Sequence, residues 1–160
     1  MTEWRIGGLT VEGRLARPQG SDHKKPMTLS SSEVRVVETF AGIPAILDRT
    51  PALVQRGKML DCDCLLGPAD HPFHVSIRNG AIVEMTPAPV LMRSWRFSYR
   101  ASAVAWIEYW QPVPRPGWHD LLALTKRKEA VLEGDLYPFM THLQYFKDLL
   151  ALPRSHARTS

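Results

Sequence analysis

Four residues of the types that bind zinc lie within a short stretch of the chain: Cys62, Cys64, His71 and His74. Tetrahedral zinc needs ligands that converge on one point, typically from closely spaced pairs on turns. In an extended strand both cysteines would share one face, whereas His71 falls in a turn and His74 on the polar face of the next strand. The spacing therefore predicts no metal site, and we interpret the cysteines as small buried apolar residues.

A second pair with possible chemistry is His119 and Asp120, which follow a Pro-Gly turn. An imidazole beside a carboxylate suggests general acid–base catalysis. Adjacent helical residues point about 100° apart, however, and an aspartate near a helix N-terminus stabilises the helix without any catalysis. We therefore expect a structural role, and an enzyme that uses His119 as acid or base is the alternative. The sequence has no glycine-rich phosphate loop or serine elbow, so no cofactor is predicted.

The positive charge is concentrated in one region of the sequence. The chain has 20 basic and 16 acidic residues, and residues 93–128 hold seven arginines and lysines against Glu108 and Asp120. A solvated surface is the simplest interpretation, but such a region could also meet an anionic head group or an acidic partner protein. Because no nucleic-acid-binding motif accompanies these residues, nucleic acid is not an expected partner.

The order of apolar and turn residues predicts an α+β domain with a mostly antiparallel sheet that is covered on one face by helices. A first helix is expected after the serines at 30–32, with an apolar stripe of Val34, Val37 and Ala41. The other expected helices cover residues 50–56, 102–111, 118–128 and 136–152. The expected strands cover residues 59–66, 73–78, 81–86, 95–100 and 130–134.

The Asn-Gly pair after the second strand predicts a hairpin. A two-residue loop would place Glu84 opposite Val75, on the apolar face of the sheet. A longer loop with a glycine bulge instead pairs Val75 with Met85 and Ile77 with Val83. Because burial decides strand pairing, we expect the second register.

The last helix is apolar on more than one face, so it must be covered by protein or must itself cover something apolar. Pockets for small ligands are mostly apolar and aromatic. The residues that we expect to bind such a ligand are Phe73, Val75, Ile77, Trp95, Phe97, Tyr99, Trp106, Trp110, Leu122, Phe139, Met140, Leu143 and Phe146. The candidates for holding a carboxylate or phosphate head group are Arg93, Arg96 and Arg100.

From about residue 57 to residue 152, the chain resembles the sterol carrier protein family. The elements that carry the resemblance are a strand and hairpin over 73–85, a strand and helix over 95–110, a helix with a basic end over 121–128, and the Val131–Leu136 segment before the last helix. The sequence of residues 116–120 looks like that of a bacterial subgroup of this family. The resemblance implies a five-stranded sheet and an apolar tunnel, closed by the C-terminal helix, that holds a fatty acyl chain, a sterol or a similar lipid.

We therefore expect three segments: a loosely ordered arm over 1–28, a sterol-carrier-like lipid-binding domain over 29–152, and a basic tail over 153–160. No apolar run approaches the roughly 18 residues of a spanning helix, and no secretion signal or disulfide framework is evident, which favours the cytoplasm. The expected function is binding or transfer of a hydrophobic ligand. The alternatives are the His119 enzyme and an accessory subunit that docks through residues 93–128.

Overall fold

The computed structural model describes residues 28–156, without the side chains of Ser155 and His156. Residues 1–27 of the expected arm and residues 157–160 of the expected tail lie outside the described residues. The strands are β1 (Cys62–Pro68), β2 (Phe73–Arg78), β3 (Ala81–Pro87), β4 (Phe97–Ala101) and β5 (Ala130–Gly134). The helices are α1 (Ser31–Ala41), α2 (Ile43–Asp48), α3 (Pro51–Arg56), α4 (Ala103–Tyr109), α5 (Leu121–Lys126), α6 (Tyr137–Thr141), α7 (Leu143–Leu150) and α8 (Leu152–His156).

The five strands form one sheet in the order β3-β2-β1-β4-β5. Neighbours are antiparallel except for β1 and β4, which are parallel. The predicted α+β class and the mostly antiparallel five-stranded sheet are thus confirmed. Because β3 and β4 lie on opposite sides of the β1–β2 pair, the segment 88–96 that joins them has to cross the sheet.

The hairpin between β2 and β3 combines features of both registers that the sequence allowed. Val75 pairs with Met85, as predicted, but Ile77 pairs with Ile82, so the expected pairing with Val83 is wrong. The loop has two residues, and the irregularity lies within the strands, between Ser76 and Ile77. This bulge turns Val83 out to solvent, with 61% of its surface exposed, and keeps the apolar face continuous.

Helix α1 packs against the core with a stripe that shares only Val37 with the predicted one. Val36 and Phe40 are each 1% exposed, whereas Val34 is 36% exposed and Ala41 lies at the surface. The ring of Phe40 packs edge-on against Trp106, with centroids 4.7 Å apart. Burial of this aromatic ring fixes the rotation of the helix, because its apolar area exceeds that of valine or alanine.

The long C-terminal helix that the sequence predicts is divided into α6, α7 and α8. His142, with φ −112° and ψ 32°, leaves helical geometry between α6 and α7. The last of these helices occupies the start of the expected tail. There Arg154 donates from Nε to the Tyr109 carbonyl oxygen at 2.9 Å.

Two strands begin later than predicted, and the helix expected from residue 118 begins at Leu121. Strand β1 begins at Cys62, because Met59 lies in a turn after α3 with 81% of its surface exposed. Strand β4 begins at Phe97, because Trp95 belongs to the segment that crosses the sheet.

Two glycines allow the end of α3 to approach the hairpin closely. Gly80 has a φ of 78°, and a Cβ on it would lie 2.4 Å from the Val54 carbonyl oxygen. A Cβ on Gly57 would lie 2.5 Å from the Tyr145 ring. This approach brings the Tyr145 hydroxyl within 2.6 Å of the Gly80 carbonyl oxygen, to which it donates.

Candidate functional site

The interior between the sheet and its helices is built around aromatic rings. Phe97 on β4 lies 5.3 Å from Phe139 and 5.1 Å from Phe146, measured between ring centroids. Tyr99, two residues further along the strand, stacks on Phe139 at 5.9 Å. All four residues are 0% exposed. The strand and the C-terminal helices α6 and α7 are therefore joined by direct ring contacts.

The tyrosines and tryptophans that pack between the sheet and the helices donate hydrogen bonds to backbone carbonyl oxygens. The Tyr99 hydroxyl donates to the Leu121 carbonyl oxygen at 2.8 Å, and Trp106 Nε1 donates to the Gly67 carbonyl oxygen at 3.1 Å. Burial raises the pKa of Tyr99 well above its usual range, and the same holds for Tyr109 and Tyr145. The inner face is thus apolar with its polar groups satisfied, as expected of a packed core.

A small apolar space lies in this interior near β1, β2 and β3. Its volume is about 10 Å³. It is lined by Phe40, Ile43, Leu66, Val75, Ile82, Met85, Leu149 and Leu150. A single water needs roughly 10–15 Å³, so this space is too small for a guest. The tunnel that the resemblance implies is closed at this position.

Most of the predicted ligand-binding residues lie in the core, but they do not line one common space. Eight are buried: Phe73, Val75, Ile77, Phe97, Tyr99, Trp106, Phe139 and Phe146. Trp110, Leu122 and Leu143 are partly buried, and Trp95 and Met140 are 38% and 49% exposed. Val75 is the one predicted ligand-binding residue that also lines the small space.

The sequence reasoning missed the other residues around the small space. Phe40, Ile43 and Leu47 follow helical spacing across α1 and α2, which is a signal for a buried stripe. Met85 was already the expected partner of Val75 on the apolar face. Pairing and spacing could therefore have identified part of this lining.

The carboxylate of Asp120 contacts its own helix and a lysine. Asp120 is the N-cap of α5, where its carboxylate accepts from the Leu122 amide at 3.4 Å and lies 3.0 Å from Lys147 Nζ. His119 is exposed. The structural role expected for Asp120 is therefore what its contacts provide.

The three candidate head-group arginines are separated from the aromatic interior and paired with carboxylates. Arg93 binds Glu84 through two hydrogen bonds of 2.5 Å, which lower the pKa of that carboxyl. Arg100 donates to Glu133 at 2.6 Å, and Arg96 pairs with Asp135.

The rest of the basic region contains similar local contacts. Arg115 donates to Glu108 at 3.0 Å, and the Arg127 guanidinium lies 4.5 Å from the centre of the Trp118 ring. Lys126 and Lys128 are exposed at the end of α5. Exposed ion pairs such as Arg115–Glu108 contribute about 0–1 kcal/mol each to the stability of the fold. Their main effect is to offset part of the positive charge of this region.

The cysteines are buried, as expected, with exposed fractions of 2% for Cys62 and 0% for Cys64. Burial raises the pKa of the Cys64 thiol well above its usual range, which favours an inert thiol. Among residues 28–156 no group of three or more metal-binding side chains comes together. None of the helices in that part of the chain has the length and apolar character needed to cross a membrane.

Comparison with known proteins identifies the architecture. No family model matches the sequence, and neither does a curated protein. The chain is similar to a crystal structure of sterol carrier protein 2, with a TM-score of 0.56 and 14% identity, over 73% of this chain and 94% of that one. It is also similar to the solution structure of a conserved hypothetical protein, possibly sterol carrier protein, from Thermus thermophilus, with a TM-score of 0.52 and 13% identity, over 77% of this chain and 91% of that one.

Proposed function

We propose that this chain, which has the sterol carrier protein 2 fold, binds a hydrophobic ligand between its sheet and its helices. The observation that carries the proposal is the small space described above, because its lining is entirely apolar and comes from both layers. Met85 contributes a flexible side chain that can adapt to different shapes. A ligand in this position would have the shape of an acyl chain or another slender lipid.

Ligand entry requires the space to expand, and the division of the C-terminal helix provides a means. Leu149 and Leu150 line the space from α7, so a displacement of α7 would enlarge it. The breaks at His142 and Ala151 are the positions at which such a displacement can pivot. Helix α6 meanwhile exposes Tyr137 and Met140, at 73% and 49%, as an apolar surface beside the displaced helix.

The energetics of this proposal are set by hydrophobic burial. Each methylene removed from water contributes about 0.8 kcal/mol, so ten methylenes supply on the order of 8 kcal/mol. This gain has to exceed the cost of separating α7 from its contacts with the sheet. Short chains should therefore bind weakly and long chains strongly.

The proposal is tested by native mass spectrometry of gently purified protein and by titration with a fluorescent fatty acid. Replacing Met85 with Trp puts a bulkier and stiffer side chain in the wall of the space, so that the space cannot expand for a ligand, and should weaken binding about tenfold or more. Val83→Trp is the matched control, because Val83 lies on the same strand with its side chain exposed, and it should bind normally. Absence of copurified lipid together with absence of saturable fatty-acid binding would contradict the proposal.

A further inference from the structure

A cleft lies at the surface where helices α1, α4 and α8 meet. Helix α1 contributes Arg35 and Thr39 to its walls, the end of α4 contributes Ile107 and Trp110, and α8 contributes Pro153. Its volume is about 270 Å³. Drug-sized ligands occupy about 300–1,000 Å³, so a molecule that fits this cleft is small. The cleft shares no described lining residue with the small space proposed above for a lipid.

The indole ring of Trp110 forms a flat and fixed wall of this cleft. Its Nε1 donates to the Leu150 carbonyl oxygen at 2.8 Å, and the ring stacks on Trp106 with centroids 5.5 Å apart and 27° between the ring planes. Phe40 contacts it as well, at 5.4 Å between centroids. Trp110 is only partly buried, so the core holds the ring in place while part of its surface faces the cleft. A flat apolar ring on a ligand can lie against such a wall.

The cleft carries a positive charge that no carboxylate of the described chain neutralises. Among the lining residues that the structure describes, Arg35 is the only charged one, and it is exposed. The ion pairs within residues 28–156 do not include Arg35, although Glu38 lies three residues further along the same helix. Glu108 on α4 is paired with Arg115 at 3.0 Å. The Arg35 guanidinium is therefore available to a carboxylate on a ligand.

The carboxyl end of α4 borders the cleft, and unsatisfied carbonyl groups there would repel an anion. Two of these groups already accept hydrogen bonds: Gln111 Nε2 donates to the Ile107 carbonyl oxygen at 3.2 Å, and Arg154 Nε donates to that of Tyr109 at 2.9 Å. Arg154, like Arg35, takes no part in the ion pairs of the described residues. Its charge thus adds to that of Arg35, and the electrostatic field in the cleft favours an anion.

We propose that this cleft is a second binding site, for a small aromatic carboxylate. The ring lies against Trp110 and Pro153. The carboxylate accepts hydrogen bonds from Arg35 and from the Nε2 proton of Gln111 that Ile107 does not use. One guanidinium matches the single charge of a carboxylate, whereas a phosphate dianion calls for more donors. The site does not depend on the lipid site, so either can fail without the other.

The probe for this proposal is 2-naphthoate, and 2-naphthamide is its neutral counterpart with the same ring. Each is titrated at pH 7 into the full chain while the Trp110 indole N–H signal is followed by NMR. A saturable shift is expected with 2-naphthoate, and the amide should bind at least fivefold more weakly. Equal affinity for the two compounds, or absence of saturation by 2-naphthoate, would overturn the proposal.

Arginine variants test the charge. Arg35→Gln should weaken binding of 2-naphthoate about fivefold to tenfold and leave binding of the amide unchanged. Its Tm should stay the same, because Arg35 is exposed and outside the ion pairs of residues 28–156. Arg49→Gln is the matched control, since Arg49 is an exposed arginine at the end of α2, and it should bind both compounds normally. An equal loss in the two variants would mean that only net charge matters, and the proposal would be wrong.

Hexanoate tests the need for a ring. This short aliphatic carboxylate should bind at least threefold more weakly than 2-naphthoate, because it cannot stack on Trp110. If hexanoate binds as tightly as 2-naphthoate, the assignment to an aromatic ligand is wrong.

The two sites are separated by exchanging variants between the two assays. Met85→Trp should weaken binding of the fluorescent fatty acid and leave binding of 2-naphthoate unchanged, whereas Arg35→Gln should do the reverse. Loss of 2-naphthoate binding in Met85→Trp would place the probe in the lipid space and overturn the second site. Loss of fatty-acid binding alone would leave the second site supported.

Discussion

The two faces of the sheet follow different rules of packing. On the inner face, the buried tyrosine and tryptophan side chains donate to backbone carbonyl oxygens, as Tyr99 does to Leu121 and Tyr145 to Gly80. On the outer face, His74 and Ser98 are as deeply buried, yet each has an atom without a partner. The comparison shows that equally deep burial goes with satisfied polar atoms on the inner face and with unsatisfied ones on the outer face.

The largest effect is expected from the inner face of β4. Phe97→Ala removes a fully buried ring between Phe139 and Phe146 and leaves a cavity, so the free energy of unfolding should fall by about 3–5 kcal/mol. Urea denaturation monitored by circular dichroism measures this loss. A loss below about 1 kcal/mol would show that the helical layer collapses onto the gap, and so that the inner face is not rigid.

A second, intermediate effect concerns the buried tyrosines and pH. Burial raises the pKa of Tyr99, Tyr109 and Tyr145 in the folded state above the unfolded value of about 10. The unfolded chain then loses protons that the folded chain retains, so stability is unaffected below about pH 9 and falls above pH 10. Each tyrosine contributes a loss of roughly 1.4 kcal/mol per pH unit.

The variant Tyr145→Phe separates this titration from the lost hydrogen bond. At pH 7 it should be about 1–2 kcal/mol less stable, because the Gly80 carbonyl oxygen loses its donor. Between pH 10 and 11.5 its stability should decline less steeply than that of the wild type. Parallel curves over this range, from urea titrations at fixed pH, would show that Tyr145 ionises equally in both states.

The smallest effect is expected one residue from Phe97, on the outer face. Ser98→Ala removes a buried hydroxyl that has no partner, so the free energy of unfolding should change by less than about 0.5 kcal/mol or increase. Ser102→Ala is the matched control, since Ser102 caps α4 by accepting from the Ala105 amide at 3.1 Å, and it should lose about 1 kcal/mol. If Ser98→Ala costs more than the control, the outer face is a satisfied structural surface and the comparison fails.

Local patterns in the sequence predicted most of the sheet. The alternation around Val75 and Ile77 identified β2 and its apolar face, and Val75 was correctly paired with Met85. The bulge that puts Val83 in solvent was not predictable, because two hairpin registers satisfied the local pattern and differed only in long-range burial. The buried face of α1 was predicted incorrectly for a similar reason. Phe40 orients the helix by packing against Trp106, a residue far along the chain.

The sequence also indicated the composition of the interior but not its arrangement. Phe97, Phe139 and Phe146 were expected near a ligand, and the structure packs them against one another. Whether aromatic side chains surround a space or fill it depends on distances of a few ångströms between separate elements. Those distances are set by how all the side chains fit together and not by any one segment.

By itself, the sequence determined the fold class, the order of the strands along the chain and the burial of the cysteines, because these follow from the periodicity of apolar residues. The tertiary structure alone decided that the three arginines expected to hold a head group are paired with carboxylates away from the aromatic interior. It also decided that His74 Nε2 lies 3.2 Å from the Ser94 carbonyl oxygen and so attaches the segment 88–96 to the sheet. These outcomes depend on strands that are neighbours in space and distant in sequence, and hydrogen-bond partners can be assigned only once the strands are aligned.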